Sequence, residues 1–190
     1  MKEVLEALKK VVPMDFHWEE DFSKVINLRE EDSQTSCELV VLRKKPSQET
    51  FTIQPDCKGT NIYDQLKLNL SSEQRCDYII FCAKKATLFV LLIEMKSKSS
   101  GGWLNQVRQG ELIAKHCLEQ VEKAKSINVL GNSEFRAILF RESVTKHATP
   151  RFKPEQPPSI QWSTDNQSGL QYVTQSCKPN LPIELGMYLK

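Results

Sequence analysis

A chain of 190 residues, 39% of them hydrophobic, can bury one sizeable core, so a single domain is expected. Lys and Arg number 26 against 24 Asp and Glu, a net charge of +2, which excludes the class of nucleic-acid binder that works by bulk positive charge. Six cysteines with no C-x-x-C pair and only three histidines exclude the usual structural zinc sites, and the longest apolar run, Ala86 to Ile93, is too short to cross a bilayer.

In chain order, Val4, Leu5, Leu8 and Val11 fall at helical spacing and predict a helix over Lys2 to Val11, stopped by Pro13. A second helix is expected over Trp18 to Leu28. Glu38 to Arg43 and Thr50 to Gln54 read as two strands of a hairpin around Pro46-Ser47-Gln48. Residues 77–82 and 86–96, rich in β-branched and aromatic side chains, predict a pair of antiparallel strands joined by a short break. Residues 97–102 form a loop in which Lys98 is placed to meet a phosphate. A helix follows over residues 102–122, with Trp103, Val107, Gly110, Ala114, Cys117 and Val121 as its buried stripe. Phe135 to Arg141 reads as a further strand. From Thr149 onward Pro150, Pro154, Pro157 and Pro158 interrupt regular structure. A hairpin is expected there from residues 159–162 and 170–174 about Asp165 to Gly169, with covering a sheet edge as its simplest role. Cys76, Cys82 and Cys117 fall at buried positions as small apolar residues. With no apolar leader at Met1, the expectation is an intracellular, reduced protein, cytoplasmic or nuclear, without a membrane partner.

The chemistry concentrates on the two strands in the middle. Side chains alternate along a strand, so Glu94 and Lys96 share a face while Met95 points to the other. Asp77 opens the first strand, 17 residues before Glu94, and antiparallel pairing brings the two carboxylates to one edge of the sheet. Adjacent carboxylates repel and raise each other's pKa, and a hard divalent cation removes that penalty. A lysine beside such a cation can orient a water molecule or help deprotonate it. A second acid-x-Lys triplet, Asp56-Cys57-Lys58, lies between Pro55 and Gly59 and reads as a turn. Arg43-Lys44-Lys45, Lys84-Lys85, Lys96 with Lys98, and Lys146 to Lys153 are short basic clusters able to line a groove for a phosphate backbone.

Asp77, a variable gap, Glu94-Met95-Lys96 at the end of the next strand, and the helix that follows resemble the PD-(D/E)xK nuclease superfamily. The resemblance covers about the middle third of the chain. It departs at the proline of the motif, whose place Cys76 takes. It implies an α/β fold with a restriction-endonuclease-like core, a central mixed β-sheet flanked by helices. Residues 1–190 would form one nuclease-like domain, with 149–190 as a Pro-rich C-terminal appendage. It further implies a metal-dependent nuclease in which Asp77 and Glu94 hold Mg²⁺ or Mn²⁺ and Lys96 assists the attacking water. Gln106 on the helix is an additional candidate, and Glu19, Glu20 and Glu38 are candidates for a third acid. Nucleic acid, DNA favoured over RNA, is the implied partner, together with a second copy of the chain or a recruiting protein. The alternative is a catalytically inactive module of the same fold that binds nucleic acid or a protein.

Overall fold

The computed structural model describes residues 1–30, 37–57, 59–68, 74–96, 101–142, 160–177 and 181–190. Lys58, Lys98, the Lys146 to Lys153 cluster, Ser159 and the prolines at 150, 154, 157 and 158 lie outside the described residues.

Helix α1 (Lys2–Val11) forms where expected, burying Val4, Leu5, Ala7 and Leu8, with Glu3 in its first turn and Lys9 and Lys10 in its last. Those charges complement the helix dipole at both ends. Three strands then run as an antiparallel meander: β3 (Glu49–Ile53), β4 (Tyr78–Lys84) and β5 (Thr87–Lys96). The short helix α2 (Ile62–Gln65) sits between the first two. Lys85, at φ 55°, makes the tight turn from β4 to β5. The long helix α3 (Trp103–Lys125) carries the chain across the sheet to β6 (Ser133–Glu142), which pairs in parallel with β5. A parallel pair needs such a crossover. β8 (Gln171–Cys177) adds in parallel to β6, and β7 (Ser163–Thr164) closes the edge, so the large sheet runs β3-β4-β5-β6-β8-β7. A smaller sheet combines β1 (Val25–Arg29), β2 (Leu39–Arg43) and β9 (Ile183–Glu184).

Strand β5 is the spine: every residue from Leu88 to Met95 is buried. Leu88, Val90 and Leu92 pack with α1 and α3, while Phe89, Leu91, Ile93 and Met95 meet Ile26, Leu28, Val40 and Leu42 of the small sheet. Burying each such side chain stabilises the fold by about 1.5–3 kcal/mol, which is why a strand covered on both faces reads as a continuous apolar run. The predicted stripe of α3 is buried throughout, together with Ile113 and Leu118. Gly110 allows the closest approach, since a Cβ there would lie 2.3 Å from Cys76 Sγ.

Three expectations are corrected. Trp18 to Leu28 is not a helix: the chain doubles back, Phe22 N–H donating to Val25 O at 2.9 Å and Trp18 Nε1 to Asn27 O at 2.6 Å. Val25 and Ile26 are β-branched and settle as a strand against β2. β2 and β3 are not a hairpin, because β2 pairs with β1 and β9 while β3 pairs with β4. Cys37 and Cys177, expected as reduced thiols, form a disulfide across a sequence separation of 140 residues. Cys76, Cys82 and Cys117 are free and buried, as expected. The C-terminal hairpin forms about Asp165 to Gly169, with its first strand at Ser163–Thr164. Among the described residues no helix is long and apolar enough to cross a membrane.

Candidate metal centre

The register of the β4–β5 pair sets the geometry. Its last pair is Tyr78 with Ile93, so the next residues out, Asp77 and Glu94, stand opposite each other. Ile79 and Leu92 belong to the cluster under α1 and α3, and alternation carries Asp77, Glu94 and Lys96 to that same side. Asp77 is fixed by its own strand partner: its Oδ2 accepts the Met95 backbone N–H at 2.5 Å. Lys96 Nζ lies 2.5 Å from Glu94 Oε1. Glu94 is completely buried, and its Oε2 has no hydrogen-bond partner among the described residues. A buried carboxylate oxygen without a partner costs several kcal/mol when charged.

The electrostatics follow from that burial. Loss of solvent lifts the Glu94 carboxyl from 4.5 to about 7; Lys96 pulls it down and the charge of Glu30 pushes it up. The Asp77 backbone N–H also lowers it, acting on the charge without meeting hydrogen-bond geometry. Asp77 is raised well above its ordinary value, first by burial and then by the charges of Glu94 and Glu30. Desolvation would lower Lys96, but Glu94, Asp77 and Glu30 outweigh it and hold the ammonium protonated. The site therefore keeps the Asp77 and Glu94 carboxyls protonated to higher pH than in water, with Lys96 opposing that shift at Glu94.

The predicted candidates distribute unevenly. Asp77, Glu94 and Lys96 come together. Gln106 donates its Nε2–H to Arg75 O at 3.2 Å, tying α3 to the backbone just ahead of Asp77. Glu19 and Glu38 are exposed, and Glu20 is engaged by Arg29 Nε at 2.6 Å. The acid whose charge acts on Asp77, Glu94 and Lys96 alike is Glu30, which the sequence reading did not single out. It follows Arg29, whose backbone N–H donates to Tyr78 Oη at 3.1 Å and whose O accepts the same hydroxyl at 2.6 Å. That hydroxyl pins the end of β1 beside the residue after Asp77. Two of the basic clusters each turn one lysine inward, Lys44 being buried against Asp21 and Thr50 and Lys84 donating to Leu189 O at 2.5 Å, while Arg43, Lys45 and Lys85 stay exposed.

The donor set suits a hard cation in part. Two carboxylates with raised pKa values and an unpartnered buried oxygen are what a divalent ion satisfies, and Mg²⁺ commonly takes only one or two protein carboxylates with water and phosphate completing its shell. Among the described residues no group of three His, Cys, Asp or Glu stands ready to ligate one ion.

No protein-family model, curated protein or solved structure matches this chain.

Proposed function

We propose that the protein is a metal-dependent nuclease of the PD-(D/E)xK kind, hydrolysing phosphodiester bonds of nucleic acid, DNA in preference to RNA. The observation that carries the reading is the meeting of Asp77, Glu94 and Lys96 at one end of a buried strand pair, with a carboxylate oxygen left unsatisfied. The element order supports it as well. Helix α1, the antiparallel strands β3, β4 and β5, the crossover helix α3 and the parallel strand β6 make a mixed α/β frame compatible with a restriction-endonuclease-like core.

Asp77 and Glu94 would hold Mg²⁺ or Mn²⁺, which when bound polarises a phosphate and lowers the pKa of water. The Met95 N–H fixes the angle of Asp77, so one oxygen is oriented by the backbone and the other left for a ligand. Lys96, protonated, positions the attacking water and offsets charge developing on the phosphate. Gln106 holds α3 against the approach to Asp77 and keeps the edge of the site rigid. Glu30 adds negative charge at the same place and is the structural candidate for a third acid.

A second reading has one observation in its favour. Lys96 already neutralises one oxygen of Glu94 and no three-ligand cluster stands ready among the described residues, which suits a module that keeps the fold and binds without cutting. Incubating purified protein with single- and double-stranded DNA and RNA, in Mn²⁺, Mg²⁺ or chelator, separates the two. The nuclease reading expects cleavage only with metal; binding without cleavage selects the module.

A further inference from the structure

A second feature lies on the α3 side of the sheet: a cleft of about 450 Å³ between α3 and the β7–β8 turn. Asn105 and Arg108 line it from the helix, Asp165, Asn166 and Gln167 from the turn, and Tyr172 from β8. The turn is rigid. Asp165 N–H donates to Leu170 O at 2.9 Å, Gly169 N–H to Asp165 O at 2.8 Å, and Ser168 Oγ to Asp165 Oδ2 at 2.5 Å. Gly169 takes φ +73°, a left-handed conformation open to glycine. Arg108 then clamps the turn to the helix, its Nε and Nη2 meeting the Asp165 carboxylate at 3.0 and 2.7 Å.

That clamp decides which ligand the cleft suits. Arg108 and Asp165 cancel, so a phosphate gains little there. What remains is neutral: Leu104, Thr164, the Asn105 carboxamide, whose Oδ1 accepts Arg108 Nη1–H at 3.3 Å, the Asn166 and Gln167 carboxamides, and the Tyr172 ring, packed T-shaped with Trp103 at a centroid distance of 5.3 Å. The Asn166 and Gln167 side chains are exposed and make no hydrogen bond among the described residues. Carboxamides offer a donor and an acceptor side by side, the pattern that pairs with a base edge, and an aromatic ring offers a stacking wall.

Position adds to this. Tyr172 pairs with Ala137, which pairs with Leu92, two residues before Glu94. Two strand spacings across and two residues along put Tyr172 roughly 12 Å from Glu94 on the same side of the sheet. We propose that this cleft receives one unpaired nucleobase of a strand whose phosphate lies at Asp77 and Glu94, which makes single-stranded nucleic acid the preferred substrate. A base still paired in a duplex presents its edge to its partner and cannot enter. The placement beside a scissile phosphate rests on the nuclease reading; base binding by the cleft does not.

The test measures anisotropy of labelled single-stranded hexamers of each of the four deoxynucleotides, and of a matching duplex, against the whole protein in chelator, where nothing is cut. The expected result is tighter binding of single strands than of duplex and a spread of about fivefold or more among the four bases, collapsing to less than about twofold in Asn166→Ala/Gln167→Ala. Both side chains are exposed, so the double variant keeps its fold, checked by its melting temperature. Equal affinity for all four bases, absence of binding, or a base ranking unchanged in the variant overturns the proposal. A ranking without metal-dependent cleavage retains the cleft and removes the nuclease; cleavage without a ranking does the reverse.

Discussion

Asp77 accepts the backbone N–H of Met95 at 2.5 Å, so the acid immediately before β4 is held by the residue lying between the acid and the lysine of β5. One hydrogen bond thus joins both halves of the acid, acid and lysine set, and it makes the position of Asp77 a property of strand pairing. Asp77→Asn preserves the shape at the cost of charge, and Asp77→Ala removes the acceptor altogether. Metal-dependent cleavage should disappear in both, while the alanine variant alone should melt earlier, by the equivalent of about 1–3 kcal/mol for an orphaned amide. Equal melting of the two would show that the bond does not hold the site.

The raised carboxyl of Glu94 has a defined effect on stability. Unfolded, the group titrates near 4.5; folded, it holds its proton to about 7. The native state therefore binds more protons between those values, and its stability is full below pH 4.5 and falls as pH rises through 7. The loss from this group is roughly 3 kcal/mol, and Asp77 shifts in the same direction. Metal-free protein melted between pH 5 and 8 should show this decline, Glu94→Gln should make it shallower and leave the share that Asp77 contributes, and Mn²⁺ should stabilise wild type more at pH 8 than at pH 5. A Glu94→Gln profile parallel to wild type contradicts the assignment.

Under the proposed function Lys96 would separate binding from chemistry. Its ammonium sits on Glu94 Oε1, the oxygen that a bound cation would also use. Lys96→Ala should lower cleavage by about 10²–10⁴-fold while leaving Mn²⁺ affinity equal or higher, because a competing positive charge has gone. Calorimetric titration beside the cleavage assay reads both, and loss of metal binding would assign Lys96 a structural role instead.

Gly110 tests the packing beneath the site. A methyl group there would lie 2.3 Å from Cys76 Sγ, one residue before Asp77. Gly110→Ala should destabilise by about 1–3 kcal/mol through overpacking and reduce cleavage by moving Asp77. Adding Cys76→Ala should recover most of both losses, and a double variant no better than the single one would place the strain elsewhere.

Much of this was legible in the sequence, for identifiable reasons. Strand β5 and helix α3 are long and regular in period, so Glu94, Lys96 and the stripe from Trp103 to Val121 could be placed without coordinates. Asp77 followed because the break before β5 is short. Val25 to Arg29 was not legible: a helical pattern over Trp18 to Leu28 competed with a strand whose identity depends on β2 alongside it. Glu30 was hidden because only the pinning of Arg29 by Tyr78 brings it near Asp77, and that contact spans 49 residues. The Cys37–Cys177 disulfide likewise has no local spacing to announce it.

The most direct measurement follows Mn²⁺-dependent cleavage of a labelled single-stranded DNA by wild type, Asp77→Asn and Lys96→Ala, with Mn²⁺ binding measured on the same preparations. The account predicts cleavage by wild type that chelator abolishes, no cleavage by Asp77→Asn, cleavage lowered by about 10²–10⁴-fold in Lys96→Ala, and Mn²⁺ binding lost in Asp77→Asn but kept in Lys96→Ala. Cleavage that persists in Asp77→Asn, or folded wild type that neither binds Mn²⁺ nor cuts, would contradict it.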